Sequence, residues 1–250
     1  MAVDVDTVYK TVLYILNKEQ RGYMPPAEFN SVATQVQLEI FEAYFEELNQ
    51  QLRIPENDSE YANRVKNLED KIEIFQRIAV SPAFVPGPPQ YFTLPVGPPG
   101  VHRIGTVIYQ DATEVQRVER NEYYLIKKSP LTAPTTSYPI YMFENNRLHV
   151  HPISIVTPAD LEVSYIAKPE DPVWAYTVGV PLGEYIFDDT PGGGAGIIPV
   201  TGFQDFELHP SEQVNLILNI LLYSGVIIRD PSIIQTAAQM IQQDEALEKS

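Results

Sequence analysis

Apolar residues recur at helical spacing from Asp6 to about Gln20, with Val8, Val12, Ile15 and Leu16 on one stripe, and predict a first helix. The run Arg21-Gly22-Tyr23-Met24-Pro25-Pro26 breaks it, and Pro25 or Pro26 suits the first turn of a second helix, where a missing N–H leaves nothing unpaired. That helix extends to about Gln51. Its apolar set (Phe29, Val32, Ala33, Val36, Ile40, Phe41, Tyr44, Phe45 and Leu48) covers a broad arc, so burial on more than one side is expected. Pro55 to Ser59 ends it and supplies an N-cap for a third helix. There the apolar positions Tyr61, Val65, Leu68, Ile72, Phe75 and Ala79 alternate spacings of four and three in an otherwise polar sequence. So narrow a seam suits either the outer helix of the chain's own bundle or a contact between subunits.

Seven prolines between Ser81 and Gly100 exclude a helix there and predict polyproline-like or turn structure, a boundary or an arm laid on a neighbour. Beyond it the period falls to two. Val101 to Tyr109 reads as a strand, Asp111-Ala112-Thr113 as its turn, and Glu114 to Val118 as the return. Glu119 to Lys128 fits a short helix. Tyr138 to Phe143 and Leu148 to His151, joined through Glu144-Asn145-Asn146-Arg147, form the clearest hairpin. Asp160 to Ile166 alternates with its odd and even side chains on opposite faces. Pro191 to Gly196 reads as a flexible tip joining Tyr185-Ile186-Phe187 to Ile197-Ile198-Pro199-Val200 in a long hairpin arm.

After His209-Pro210 the helical period returns. Val214 to Tyr223 is apolar almost all round, which predicts a fully buried helix ending near Gly225. Asp230-Pro231 then starts a final helix with Ile233, Ile234, Ala237, Met240 and Ile241 on its apolar side. The whole predicts an α+β fold. The N-terminal helices (1–80) and C-terminal helices (206–250) form a bundle, with a proline-rich linker or arm (81–100) and an inserted, mainly antiparallel β domain (101–205).

Composition narrows the chemistry. The chain has no cysteine, which excludes disulfides, thiolate nucleophiles and cysteine-based metal sites. No apolar run is long enough to span a membrane, so membrane insertion is not expected. Met1 to Asp6 is acidic and lacks a basic, cleavable signal, so synthesis in a cytoplasm as a soluble chain is expected. The net charge of −16 is spread as −6 over 1–80, −6 over 81–205 and −4 over 206–250. With no basic segment there is no phosphate-tracking footprint. An acidic surface serves solubility, and it also suits a channel through which DNA slides without sticking.

Candidate reactive groups are few. His149 and His151 share one face of a strand, with His102 and Glu162 as conceivable partners. Local spacing fixes no third ligand, whereas zinc needs three or four, so no metal site is expected. There is no nucleophile elbow among these residues and little to build a triad from. Asp188 and Asp189 are adjacent on an extended stretch and so point apart, reading as a solvated loop. The glycine run lacks the Lys-Ser or Lys-Thr of a phosphate-binding loop. No catalytic residue and no cofactor is expected. The abundance of tyrosine (15) and proline (22) leans toward protein contacts, since tyrosine gives rigid area with a polar tip and proline arms order cheaply.

Three stretches carry a resemblance. Val8 to Tyr23 followed by Pro26 to Asn30 resembles the opening of virion structural proteins from crAss-like and related short-tailed bacteriophages. Tyr141 to Pro152 with Val163 to Ile166 and Lys168 to Trp174 is similar to their central sheet. The apolar helix before Gly225 and Arg229-Asp230-Pro231 resembles the closing helices of phage head-to-tail adaptors. The resemblance implies a non-enzymatic ring, commonly dodecameric, at the head–tail junction of a virion. Such a ring docks beneath the portal protein, meets other neck or tail proteins, and passes DNA without reading its sequence. The competing expectation is a receptor- or glycan-binding tail or surface module. On the ring reading the expected protein contacts are Tyr61, Val65, Leu68, Ile72 and Phe75 on the third helix, Pro88 and Pro89 in the proline-rich segment, and Asp188, Asp189 and Gly193 by the glycine tip.

Overall fold

The computed structural model describes residues 3–18, 23–51, 59–94, 100–110, 113–180, 182–190, 192–227, 236, 239–240 and 242–243. The protein is α+β, with helices toward both ends and antiparallel sheet between them. It comprises two compact units. One joins Met1–Ile74 to Pro169–Ser250, and the other is Phe75–Lys168.

In the first unit, α1 (Val5–Lys18) follows the expected stripe and buries Val5, Val8, Tyr9, Val12 and Leu16. Pro26 opens α2 (Pro26–Gln51) as its first residue. This helix buries Phe29, Ala33, Val36, Gln37, Ile40, Phe41, Tyr44 and Phe45, the broad arc its sequence calls for. Its neighbours are α3 (Ser59–Glu73) and, near the other end of the chain, the helix Gln213–Ile227.

The β unit contains β1 (Gln76–Val80), β2 (Ala83–Val85), β3 (Tyr91–Thr93), β4 (Val101–Tyr109), β5 (Thr113–Glu114), β6 (Gln116–Arg117), α4 (Arg120–Lys128), β7 (Ile140–Glu144), β8 (Arg147–His151) and β9 (Leu161–Ala167). They form a four-stranded sheet, β1-β9-β4-β5, and a five-stranded sheet, β2-β3-β8-β7-β6. The pairs are antiparallel except β6 with β7. Phe92, Tyr141, Leu148 and Val150 from one sheet share a core cluster with Val107, Tyr109, Leu161 and Val163 from the other. Alternation therefore turns one face of each sheet into a common interior. On the opposite face of the five-stranded sheet, Ile140 and Met142 meet Val118 and the α4 residue Tyr123. The β7–β8 turn is Asn145-Asn146, both at positive φ (49° and 60°). Asparagine tolerates that conformation, and a two-residue turn of this hand matches the twist of the flanking strands.

The chain then returns to the first unit through β10 (Tyr176–Val178), β11 (Tyr185–Phe187) and α5 (Gln213–Ile227). Here the interior is aromatic. Trp174 lies 4.5 Å from the Tyr9 ring and stacks on Tyr176 and Phe187, while Tyr9 also meets Phe29 at 4.6 Å. Polar groups fix the same residues. The Asn30 amide donates to the Trp174 carbonyl (3.3 Å) and accepts from its N–H (2.8 Å), and the Trp174 indole donates to Asp6 (3.0 Å). Val3 pairs with Phe206, and Val173 with Gln204. Full burial of a side chain the size of Phe206 or Leu208 contributes roughly 1.5–3 kcal/mol, so each of these anchors carries weight.

Five expectations are corrected. The third helix ends at Glu73, and Gln76–Val80 is strand, not helix. Pairing with β9 and the β-branched Ile78 and Val80 override the helical spacing, and Pro82 would stop a helix in any case. The proline-rich segment is not only a linker, because its apolar residues pair as β2 and β3 within the five-stranded sheet. Pro82 precedes β2, and Pro86, Pro88 and Pro89 fall in the connection, where no ladder N–H is needed; 95–99 lie outside the described residues.

The boundary near 205 also moves, since 169–205 belongs with the helices through Trp174, which meets Tyr9 of α1 and Asn30 of α2. The hairpin arm is built differently as well. β11 pairs with β10, and the ends of their connection are closed by bonds from Gly179 N–H to the Glu184 carbonyl and from Gly183 N–H to the Gly179 carbonyl. Ile198 instead bridges Tyr176 from the other side. Finally, α5 buries Leu216, Ile220, Leu221 and Ser224, whereas Val214 is exposed, so it is not covered all round, and it runs past Gly225. Of the final helix only Thr236, Gln239, Met240, Gln242 and Gln243 are described, as helical; its cap at Asp230-Pro231 lies outside the described residues.

Candidate functional site

The residues expected to carry contacts fall in different settings. Leu68, Ile72 and Phe75 are buried within the chain, so these three serve the protein's own interior. Val65 is half-buried, and the Tyr61 side chain lies outside the described residues. Pro88 and Pro89 are exposed in the β2–β3 connection, joined by a cis peptide bond. Asp188 is half-buried and Asp189 exposed. The Thr190 hydroxyl and then its N–H hold the Asp188 carboxyl below its ordinary range, as a local turn does. Gly193 is not a loose hinge. Its φ is +71°, and a Cβ there would stand 1.9 Å from the Val200 carbonyl oxygen, so the loop folds tightly back on residues 200–202.

The histidine pair is taken up by aromatic rings. His149 and His151 do share the α4-facing side of β8, while Leu148 and Val150 enter the core. His151 is buried 5.0 Å from the Tyr123 ring, and His149 lies 5.9 Å from Tyr91, which Arg147 covers at 4.6 Å. Burial, then the Lys127 and His149 charges, push the His151 pKa down. Burial, with Tyr124 adding, pushes the Tyr123 phenol up to about 12. Among the described residues no group of three or more His, Asp or Glu is placed to hold a metal ion. Nor is any helix among them long and apolar enough to cross a membrane.

Among the described residues, exposed apolar side chains gather in two places, and others, such as Ile78, Ile153 and Val214, are exposed elsewhere. The β10–β11 hairpin exposes Val178, Tyr185 and Ile186 along its strands and Val180 (94%) and Leu182 (83%) at its turn. Ile198 and Val200 extend the same surface beside Tyr176. Trp174 and Phe187 form the aromatic base under it. The second place is α4 and the chain after it, where Tyr124 and Leu125 are exposed on the helix and Leu131 (97%) and Tyr138 (81%) beyond it. Single exposed apolar residues are ordinary, but clusters of this kind mark contact surfaces.

Charge divides with the units. Residues 75–168 carry eight Lys and Arg against seven Asp and Glu, a net +1. The rest of the chain carries nine against twenty-six, a net −17. Locally the contrast is sharper. From Pro169 to Ile228 there are eight carboxylates and no Lys or Arg, whereas from Tyr123 to Phe143 there are two lysines and no carboxylate. The two apolar surfaces lie in those two stretches. Sequence reading passed over both, although the runs lacking one sign of charge were there to find; exposure of Val180, Leu182 and Leu131 was not.

No protein-family model matches the chain, and no curated protein matches it in sequence.

Proposed function

We propose that this chain is a non-enzymatic structural subunit of a virion, a ring protein of the head-to-tail connector that joins portal to tail and surrounds the DNA path. The observation that carries the assembly part is the exposed apolar hairpin with Val180 and Leu182 at its turn, set in a stretch of sixty residues without a Lys or Arg. A surface of that kind is stable in water when a neighbour covers it. The acidic balance of −16 supports the DNA-path part, since like charge keeps a translocating duplex from adhering. The resemblance of the opening, the central sheet and the closing helices to short-tailed phage neck proteins supplies the virion.

In this reading the protein works through geometry. Copies meet head to tail, and repetition of one contact closes a ring. Antibody labelling of phage virions, viewed by electron microscopy, is the direct test. Label confined to the head–tail junction is the expected result. Label on tail fibres or capsid faces sinks the connector assignment, and none on opened virions removes the virion role altogether.

A further inference from the structure

Little holds α4 to the rest of the β unit. Its N-cap residue Glu119 makes no side-chain bond to the helix, and of its nine residues only Tyr123 is buried. With Ile126, Tyr123 packs on Val118, Ile140 and Met142, a cluster separate from the core between the two sheets. A helix this short is marginal without such packing. The sheets keep their own pairing and interior without it, so α4 can open as a unit by itself.

The group beneath the helix is titratable. His151 is 8% exposed on the α4-facing side of β8, its ring 5.0 Å from that of Tyr123. Burial first, then Lys127 from α4 and His149 from β8, disfavour its charged form. β7 sets the neutral Ile140 opposite it and carries Glu144 at the other end of the hairpin, paired with Arg120 at 3.5 Å. Arg117 of β6 acts on Tyr141 at the core side, and on β3 the Tyr91 ring lies against His149 under Arg147. The other α4 charges, Glu122 and Lys128, are exposed. A proton on His151 therefore puts a cation out of water with cations for neighbours, which is costly to keep covered.

We propose that α4 is an acid-released cover on the five-stranded sheet, lifting from His151 when that ring takes a proton and baring Val118, Ile140 and Met142 while both sheets stay paired. The device belongs to the β unit alone and is independent of the ring reading. With α4 lifted, His151 meets water and titrates near the ordinary 6.5; with α4 in place it takes a proton only at lower pH. Above 6.5 the cover is fully favoured. Below it, each pH unit favours the lifted state by up to about tenfold, until the covered ring is protonated too.

Hydrogen exchange of the purified chain, corrected for the intrinsic rate at each pH, tests this. Amides from Tyr123 to Lys128 should exchange through an opening that low urea scarcely changes, whereas those of β4 and β9 should need one that urea strongly promotes. Between pH 7.5 and 5.5 the α4 opening should grow by up to about tenfold. His151→Phe keeps a ring under Tyr123 and should abolish that growth. Lys127→Gln, an exposed change that removes a like charge, should reduce it. Growth of equal size in His151→Phe, no growth in the wild type, or α4 amides that share the urea dependence of β4 and β9 would each overturn the proposal. Should His151→Phe fail to fold, Lys127→Gln decides, and a response equal to that of the wild type overturns it.

Discussion

The Lys71 ammonium lies 2.6 Å from the Glu212 carboxylate, with only 19% and 6% of the two side chains exposed. The pair ties α3 to the turn that starts α5 across 141 positions of sequence. Asn215 donates a further bond to Glu212 (3.3 Å), and Lys71 also lies over the Tyr44 ring at 5.6 Å.

Removing one partner leaves the other charged and out of water. Lys71→Met should therefore lower stability by roughly 3 kcal/mol, the low end for a buried pair, because Lys71 keeps some contact with solvent. Combining it with Glu212→Leu should cost less than the two single changes added. Urea unfolding of the three variants measures the coupling, and strict additivity would show that the pair contributes nothing as a pair.

Gln37 offers a second internal tie. Buried on α2, its amide donates to the Glu170 carbonyl (2.6 Å) and accepts from the Glu207 N–H (3.1 Å). Gln37→Leu strands both backbone groups, at about 1–3 kcal/mol each. Amide hydrogen exchange should accelerate at Glu207 and not within β7 or β8. Acceleration throughout the chain would argue for global loosening instead.

The glycine loop separates strain from space. Gly193→Ala meets the Val200 carbonyl and the backbone of Gly202, whereas Gly196, at φ +92°, has open space where a Cβ would stand. Gly193→Ala should destabilise by more than about 2 kcal/mol, while Gly196→Ala should cost only the backbone penalty of about 1–2 kcal/mol. Thermal unfolding of the two variants ranks them. Equal melting temperatures would mean that the loop yields at Gly193.

His151 should make the β unit sensitive to acid. Its folded pKa lies below the ordinary 6.5, with burial the largest cause. On acidification through 6.5 the unfolded chain binds this proton and the folded chain does not. Stability is therefore full above that pH and falls between it and the folded pKa. Urea midpoints at pH 7.5 and 5.5 should differ for the wild type and differ less for His151→Phe. An equal drop in both would assign the acid sensitivity to other groups.

Legibility of the fold followed locality. The stripe of Val8, Val12 and Leu16, the Asn145-Asn146 turn and the alternation of Leu161, Val163 and Tyr165 each record an element within a few residues, and each element formed. Phe75 to Val80 misled because its spacing continues the helical period, while pairing with β9, more than eighty residues away, decides its form. The proline-rich stretch misled for a related reason. Its described prolines, 82, 86, 88 and 89, stand outside the pairs, and Phe84 and Phe92, with rings 5.1 Å apart, make the strands.

The candidate contacts were less legible still. Amphipathic spacing says that Leu68 and Ile72 need cover but not whose; in this protein the chain covers them itself. Conversely, nothing in the pattern at Val180, Leu182 or Leu131 says that these side chains stay outside.

By itself the sequence determined the local conformations, the absence of thiol chemistry and the acidic balance, since these depend on residues and their near neighbours. Only the tertiary structure decided that 169–205 returns to the helices, that β2 and β3 complete a sheet, and which apolar residues remain uncovered. Sheet pairing and burial join residues far apart in the chain, and no local pattern records where the partner of such a contact stands.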